Sequence, residues 1–237
     1  MKTKYLENNI SRNNFPFMKK VLLINTDNSS EEINRHAKNM VDKGVITEFY
    51  YVKDYAEEAL AFFNVPKNDL GRGYYYSISE FVGIYLCHTD YFLYFMGDST
   101  LEQNCSWIDA SITKMNSNSK YKVATLVWNK KYNEAKLESS SEDNEFFIGF
   151  GFSDQCFLIR TKDFQASIYN EKNVLSERYP KYGGEAFEKR VDSWMRNHDY
   201  YRIVFKNGYY ISKNLPRNKL LINIGISMGR WGRASFK

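Results

Sequence analysis

The chain has 237 residues, 43% of them hydrophobic, enough for one large α/β domain or two small ones with a real core. Its formal charge of +5 is uneven: from Tyr200 onward there are eight Lys or Arg and no Asp or Glu, so the rest of the chain sums to −3. This balance excludes a disordered or fibrous chain, and no stretch approaches the length of a membrane span. Cys87, Cys105 and Cys156 are far apart, odd in number and set in apolar surroundings without metal spacing. They read as buried thiols of a reducing compartment. The N-terminus lacks an apolar core of signal-peptide length, so the expected location is cytoplasmic. The 19 Tyr, 17 Phe and 4 Trp suit partly wet pockets, since tyrosine joins an apolar ring to a polar tip; a coding sequence rich in A and T accounts for most of them.

Residues 1–17 are polar, Asn-rich and aperiodic, and are expected to form a flexible tail or an extra first turn. Lys20 to Asn25 reads as a buried strand that runs into Thr26-Asp27. Ser29 or Ser30 would cap a helix made amphipathic by Ile33, Ala37, Met40 and Val41, with Gly44 as its stop. Val45 to Val52 is a second strand, followed by Lys53-Asp54. Strand, helix and strand together have the length of a parallel crossover unit. Ala56 to Phe63 is a short helix. A glycine-bearing loop, Asn68 to Gly73, carries Arg72 into a helix over Tyr74 to Leu86.

The stretch TDYFLYFMGDST, Thr89 to Thr100, organises the rest. Six apolar or aromatic residues, Tyr91 to Met96, lead into Gly97-Asp98. Such a run reads as a strand covered on both faces, with its polar tip at the carboxyl edge of a sheet, where open α/β sheets place ligands. The plainer reading is a strand followed by an Asp-Ser turn. Trp107, Ile108, Ser111, Ile112 and Met115 mark one helical face, and Tyr121 to Trp128 a further buried strand. Asn129 to Glu145 is expected to be a long surface loop. Phe146 to Phe152 leads into Ser153-Asp154-Gln155, and Cys156 to Arg160 is a strand. A short helix over Lys162 to Tyr169 and a turn-rich loop, Tyr179 to Gly184, come before a strong helix over Glu185 to Asn197. Tyr200 to Phe205 and Gly208 to Ser212 flank Lys206-Asn207 as a hairpin, and 213–237 is a basic extension.

This order of elements, with three local patterns, resembles the GT-A type of nucleotide-diphospho-sugar glycosyltransferase. The patterns are the strand-end acid of TDYFLYFMGDS, the small loop, apolar strand and Arg of GFSDQCFLIRTKDF, and the helix-opening acid of YGGEAFEKRVDSWM. The resemblance implies an α/β fold: one GT-A-like, Rossmann-related domain over residues 18–212, with a central, mostly parallel sheet flanked by helices. The C-terminal hairpin and the basic tail would follow the sheet. It implies transfer of a sugar from a nucleotide-diphosphate donor to a glycan, lipid-linked or protein acceptor, with Mn or Mg held at Asp98 against the diphosphate. One departure stands out. Met96 occupies the place two before Asp98 where a DxD motif has its first acid, and one carboxylate holds a hard cation less tightly than two.

By that resemblance Asn25, Thr26, Asp27 and Asp54 are candidates for the base and ribose of the donor; helix capping is the alternative for Thr26 and Asp27. Arg72, Arg230 and Arg233 are cations available to the diphosphate, or else part of a solvated basic surface. Glu185 is the candidate general base because it follows two glycines and opens a helix, although the helix dipole that steadies it also lowers its basicity. Asp154 is the rival, and Glu188, one turn on, the third choice. His198 is a candidate extra metal ligand. The basic end would favour an anionic membrane surface, and no nucleic-acid partner is expected. The competing reading is a non-catalytic GT-A-like protein that binds a carbohydrate or a nucleotide.

Overall fold

The computed structural model describes residues 3–26 and 31–212. Asp27, Ser29, Ser30, Arg230, Arg233 and the basic extension 213–237 lie outside the described residues. The architecture is α/β, a mixed sheet flanked by helices. Among the described residues no helix is long and apolar enough to cross a membrane.

Helix α1 (Thr3–Arg12) stands where a tail is expected. Leu6 and Ile10 pack against Met40, Val45 and Ile46, and polar residues add further anchors. The Asn9 side chain accepts from Leu101 N at 2.9 Å and donates to Ser99 O at 3.4 Å. Arg12 donates to Leu101 O at 2.6 Å, and Asn13 accepts from Trp107 Nε1 at 2.9 Å. The crossover unit follows as β1 (Val21–Ile24), α2 (Glu31–Asp42) and β2 (Glu48–Tyr51), the two strands pairing in parallel from Val21↔Glu48 to Ile24↔Tyr51. Then come α3 (Val52–Phe62), a 3₁₀ turn over Lys67–Gly73, and α4 (Tyr74–Leu86).

The remaining elements build a seven-stranded sheet: β3 (Tyr91–Phe95), β4 (Ser99–Thr100), α5 (Ile108–Ser117), β5 (Tyr121–Trp128), α6 (Tyr132–Leu137), β6 (Ser139–Glu142), β7 (Phe146–Gly149), β8 (Cys156–Arg160), α7 (Thr161–Phe164), α8 (Phe187–Asn197) and β9 (Tyr201–Ser212). The order is β3-β8-β5-β9-β7-β6, with β4 on the end of β9. Within it β5 and β9 are parallel, and every other pairing is antiparallel. The expected mostly parallel sheet is therefore corrected to a mixed one. Continuous apolar runs report two covered faces and carry no information on strand direction. The pleat sends alternate residues to opposite layers. Val123, Phe157 and Ile159 pack with α3, α4 and α8, while Ala124 and Leu158 pack with α5 and Trp107.

Three further expectations change. The 129–145 segment is a helix and a strand, α6 and β6, rather than a loop. The hairpin around Lys206-Asn207 is one strand, β9, because both halves find partners along β5; the register shifts where Leu126↔Phe205 gives way to Val127↔Tyr209. Gly208 fits there because a Cβ would overlap Cys105 Sγ. β3 is half-buried along its whole length and bonds β8 alone among the described residues, so it is an edge strand and not the doubly covered strand its sequence suggests.

Candidate functional site

A cleft of about 1530 Å³ runs between β1 and β3. Its upper end collects the carboxyl ends of both strands. Asn25 follows β1 and donates from Nδ2 to Tyr75 O at 2.9 Å. Tyr75 and Tyr76, in the first turn of α4, line the same end and are exposed. Opposite them, the turn after β3 is closed by Ser99 N donating to Met96 O at 2.9 Å, and it places Asp98 on the cleft wall. Asp98 Oδ1 is buried and has no hydrogen-bond partner among the described residues. Tyr5 of α1 reaches in beside it. Burial lifts the Tyr5 hydroxyl to about 12; Thr100 lowers it, and the Asp98 charge adds to the rise.

Behind Asp98 lies a line of interacting carboxyls. Burial lifts Asp154 to about 6, its own backbone amide pulls it back, and the Asp98 charge lifts it again. Burial and the Asp154 charge lift Glu188 to about 8, against the pull of Arg178. Asp154 and Glu188 sense each other, so they titrate as a pair. Glu80, on α4, has no exposed surface, and neither carboxyl oxygen has a hydrogen-bond partner among the described residues. Burial and the Asp154 charge push it well above the usual carboxylate range, while the neighbouring Tyr94 hydroxyl works the other way.

The assembly of this group depends on two glycine-bearing loops. Gly73 precedes α4, and Gly183 and Gly184 come shortly before α8. A Cβ on Gly73 would overlap Gly183 O. Gly184 has φ +59°, and its Cβ would sit 2.8 Å from Asp69 O. Glu185 N donates to Asp69 O at 3.0 Å, and Arg190 pairs with Asp69 at 3.2 Å. The glycines thus let the two loops lie backbone against backbone. They fix the starts of α4 and α8, and with them Glu80 and Glu188.

The Glu185 carboxylate pairs with Lys189 at 2.8 Å, an ion pair that Lys189 shares with Glu177. Asp154 feels the Asp98 charge and Glu188 that of Asp154, but like Glu185 both lie outside the cleft lining. His198 bonds Glu171 at 2.9 Å and stacks on Tyr200. It caps α8 and lies outside the lining of the cleft that Asp98 faces. Asp54, in the first turn of α3, and Arg72, on the 67–73 turn, are exposed and outside the cleft lining; Thr26 follows Asn25. Sequence reasoning missed Tyr5, Glu80 and Tyr94. A signal existed for Glu80, a lone acid in a helix whose residues Ser77 to Ile84 are all buried.

Among the described residues no group of three or more His, Cys, Asp or Glu is placed to hold a metal ion. The orphaned Asp98 oxygen would offer a cation a single protein ligand, so a Mg or Mn there would take the rest of its ligands from water or a bound molecule. No protein-family model matches the chain, and no curated protein matches it at a significant level.

Proposed function

We propose that the protein is a GT-A-like glycosyltransferase that moves a sugar from a nucleotide-diphosphate donor to a glycan, lipid-linked or protein acceptor. The observation that carries this reading is the delivery of Asp98 to the rim of a cleft shared with Asn25, Tyr75 and Tyr76, with the Asp154–Glu188 pair behind it. The crossover unit β1-α2-β2, and a later strand ending in an acid, support the fold assignment.

In this reading Asn25 and the two tyrosines take the base and ribose, with stacking on the rings. Asp98 would hold Mn or Mg together with the diphosphate, where a cation stabilises the charge that grows as the sugar–phosphate bond breaks. Between about pH 6 and pH 8 the Asp154–Glu188 pair holds one proton and one negative charge. It can accept the proton of the attacking acceptor hydroxyl as that oxygen bonds the anomeric carbon and the diphosphate departs. In this reading the charge of the basic extension, with Arg230 and Arg233, would favour an anionic membrane surface or the diphosphate.

Met96 favours a second reading, a nucleotide or carbohydrate binder without turnover. Thermal unfolding with nucleoside diphosphates and nucleotide sugars, with and without Mn, followed by a search for released diphosphate, separates the two. Stabilisation by one nucleotide class, lost in Asp98→Asn and accompanied by turnover, supports the transferase. Stabilisation with no turnover for any donor supports the binder. No stabilisation by any of them refutes both.

A further inference from the structure

β1 and β3 have the sequences of interior strands, VLLI and YFLYF, yet each presents an open edge. Among the described residues β1 bonds β2 alone and β3 bonds β8 alone. The ladders identify the groups left over. Met96 N donates to Gln155 O, and Thr161 N donates to Asp90 O. The even-numbered residues of β3 therefore face β8, and Leu93 and Phe95 turn N–H and C=O the other way. Thr47 N donates to Lys20 O, so Val21 and Leu23 likewise turn theirs away from β2. Both sets line the lower part of the cleft. Gly83 of α4 spans it from one side: an ideal Cβ there would lie 2.8 Å from Phe92 Cζ and 3.1 Å from Leu23 Cδ1. Two apolar strand edges facing one groove are a template for one more strand.

We infer that Lys219–Ser227 of this chain, KLLINIGIS, is the occupant of that groove and pairs with the β3 edge. Three observations favour it over a foreign strand. The last residue of β9, Ser212, pairs with Ser99, which lies on the rim of the cleft, so the chain leaves the described fold at the mouth of the groove. The six residues 213–218 can reach about 20 Å, enough to turn into it. In the segment itself Leu220, Ile222, Ile224 and Ile226 alternate with Leu221, Asn223 and Gly225. This two-residue period has no charge between Lys219 and Arg230. The inference is independent of any sugar-transfer activity.

Hydrogen exchange on the full chain tests it. In the wild type the amides of Leu93 and Phe95 should exchange at least about tenfold more slowly than exposed loop amides. In Ile222→Pro, which removes a donor and breaks the strand, that protection should be lost while β5 and β9 keep theirs. If Ile222→Pro also strips β5 and β9, Ile224→Asn is read in its place. Fast exchange in the wild type overturns the inference, as does equal protection in wild type and variant. Protection that vanishes on dilution, together with a dimer at high concentration, also overturns it and assigns the groove to a second copy.

Discussion

Glu188→Gln should stabilise the protein in alkaline solution and leave it nearly unchanged in acid. Burial, helped by the Asp154 and Asp192 charges, lifts the Glu188 carboxyl from 4.5 to about 8. Across that window the folded chain holds a proton that the unfolded chain releases, so stability falls as pH rises through it. At about 1.4 kcal/mol for each tenfold in proton affinity, the full span is about 5 kcal/mol. Partial solvent access to the side chain brings the expected loss to about 2–4 kcal/mol. Glutamine keeps the shape of the neutral acid and cannot ionise, so the variant escapes this loss. Urea unfolding between pH 5 and pH 9 reads it directly: the two proteins should agree near pH 5 and diverge by about 2–4 kcal/mol at pH 9. Stability curves that stay parallel would refute the placement of Glu188 in a buried acid group. Because Asp154 lifts Glu188, the divergence should shrink when both proteins also carry Asp154→Asn.

Asp98→Asn should leave thermal unfolding within a few degrees of the wild type, since the side chain tops a turn and no described group bonds its Oδ1, while turnover falls about 10²-fold or more; normal turnover would remove the site. Glu185→Gln should cost about 1 kcal/mol in chemical unfolding, because the pair is largely buried but Lys189 keeps Glu177 at 2.9 Å. Its turnover should stay within about threefold of the wild type; a loss matching that of Glu188→Gln would return the base role to Glu185. Gly73→Ala should destabilise by about 1–3 kcal/mol, because the new methyl meets backbone at Gly183; an unchanged unfolding midpoint would show that the loops are not locked together.

Several elements were legible because their sequences state both type and length. Tyr74–Leu86, Tyr121–Trp128 and Cys156–Arg160 match their expected bounds residue for residue. α1 was hidden by composition: only Leu6 and Ile10 pack on the Met40–Ile46 cluster, and Asn9, Arg12 and the following Asn13 bond residues some 90 positions away. Strand direction was hidden because a strand between two helical layers is apolar whichever way it runs. That Asp98 would stand on a cleft wall could be read from the run that ends in it. That Asp154 and Glu188 interact while Glu185 pairs with Lys189 could not, because it turns on which face of α8 meets the β7–β8 loop. The two glycines before Glu185 suggest backbone that approaches a substrate; in the fold Gly184 packs on Asp69 O and Gly183 on Gly73.

The groove and the space beside Asp98 belong to one cleft. Ligand pockets commonly enclose about 300–1,000 Å³, and the cleft of about 1530 Å³ exceeds that because it continues below Asn25 and Asp98 into the groove between β1 and β3. A strand seated along Leu93 and Phe95 would give the upper end a floor at the level where β1 and β3 stop. It would leave the space between Asn25, Tyr75 and Asp98 for a nucleotide. Emptying the groove should then weaken nucleotide binding without touching a residue that contacts the nucleotide. In Ile222→Pro the thermal shift given by the stabilising nucleoside diphosphate should shrink, and Asp98→Asn should add little to that loss. A full thermal shift in a variant whose β3 amides exchange freely would uncouple the two, leaving the segment as a cover for the sheet edge with no part in shaping the pocket.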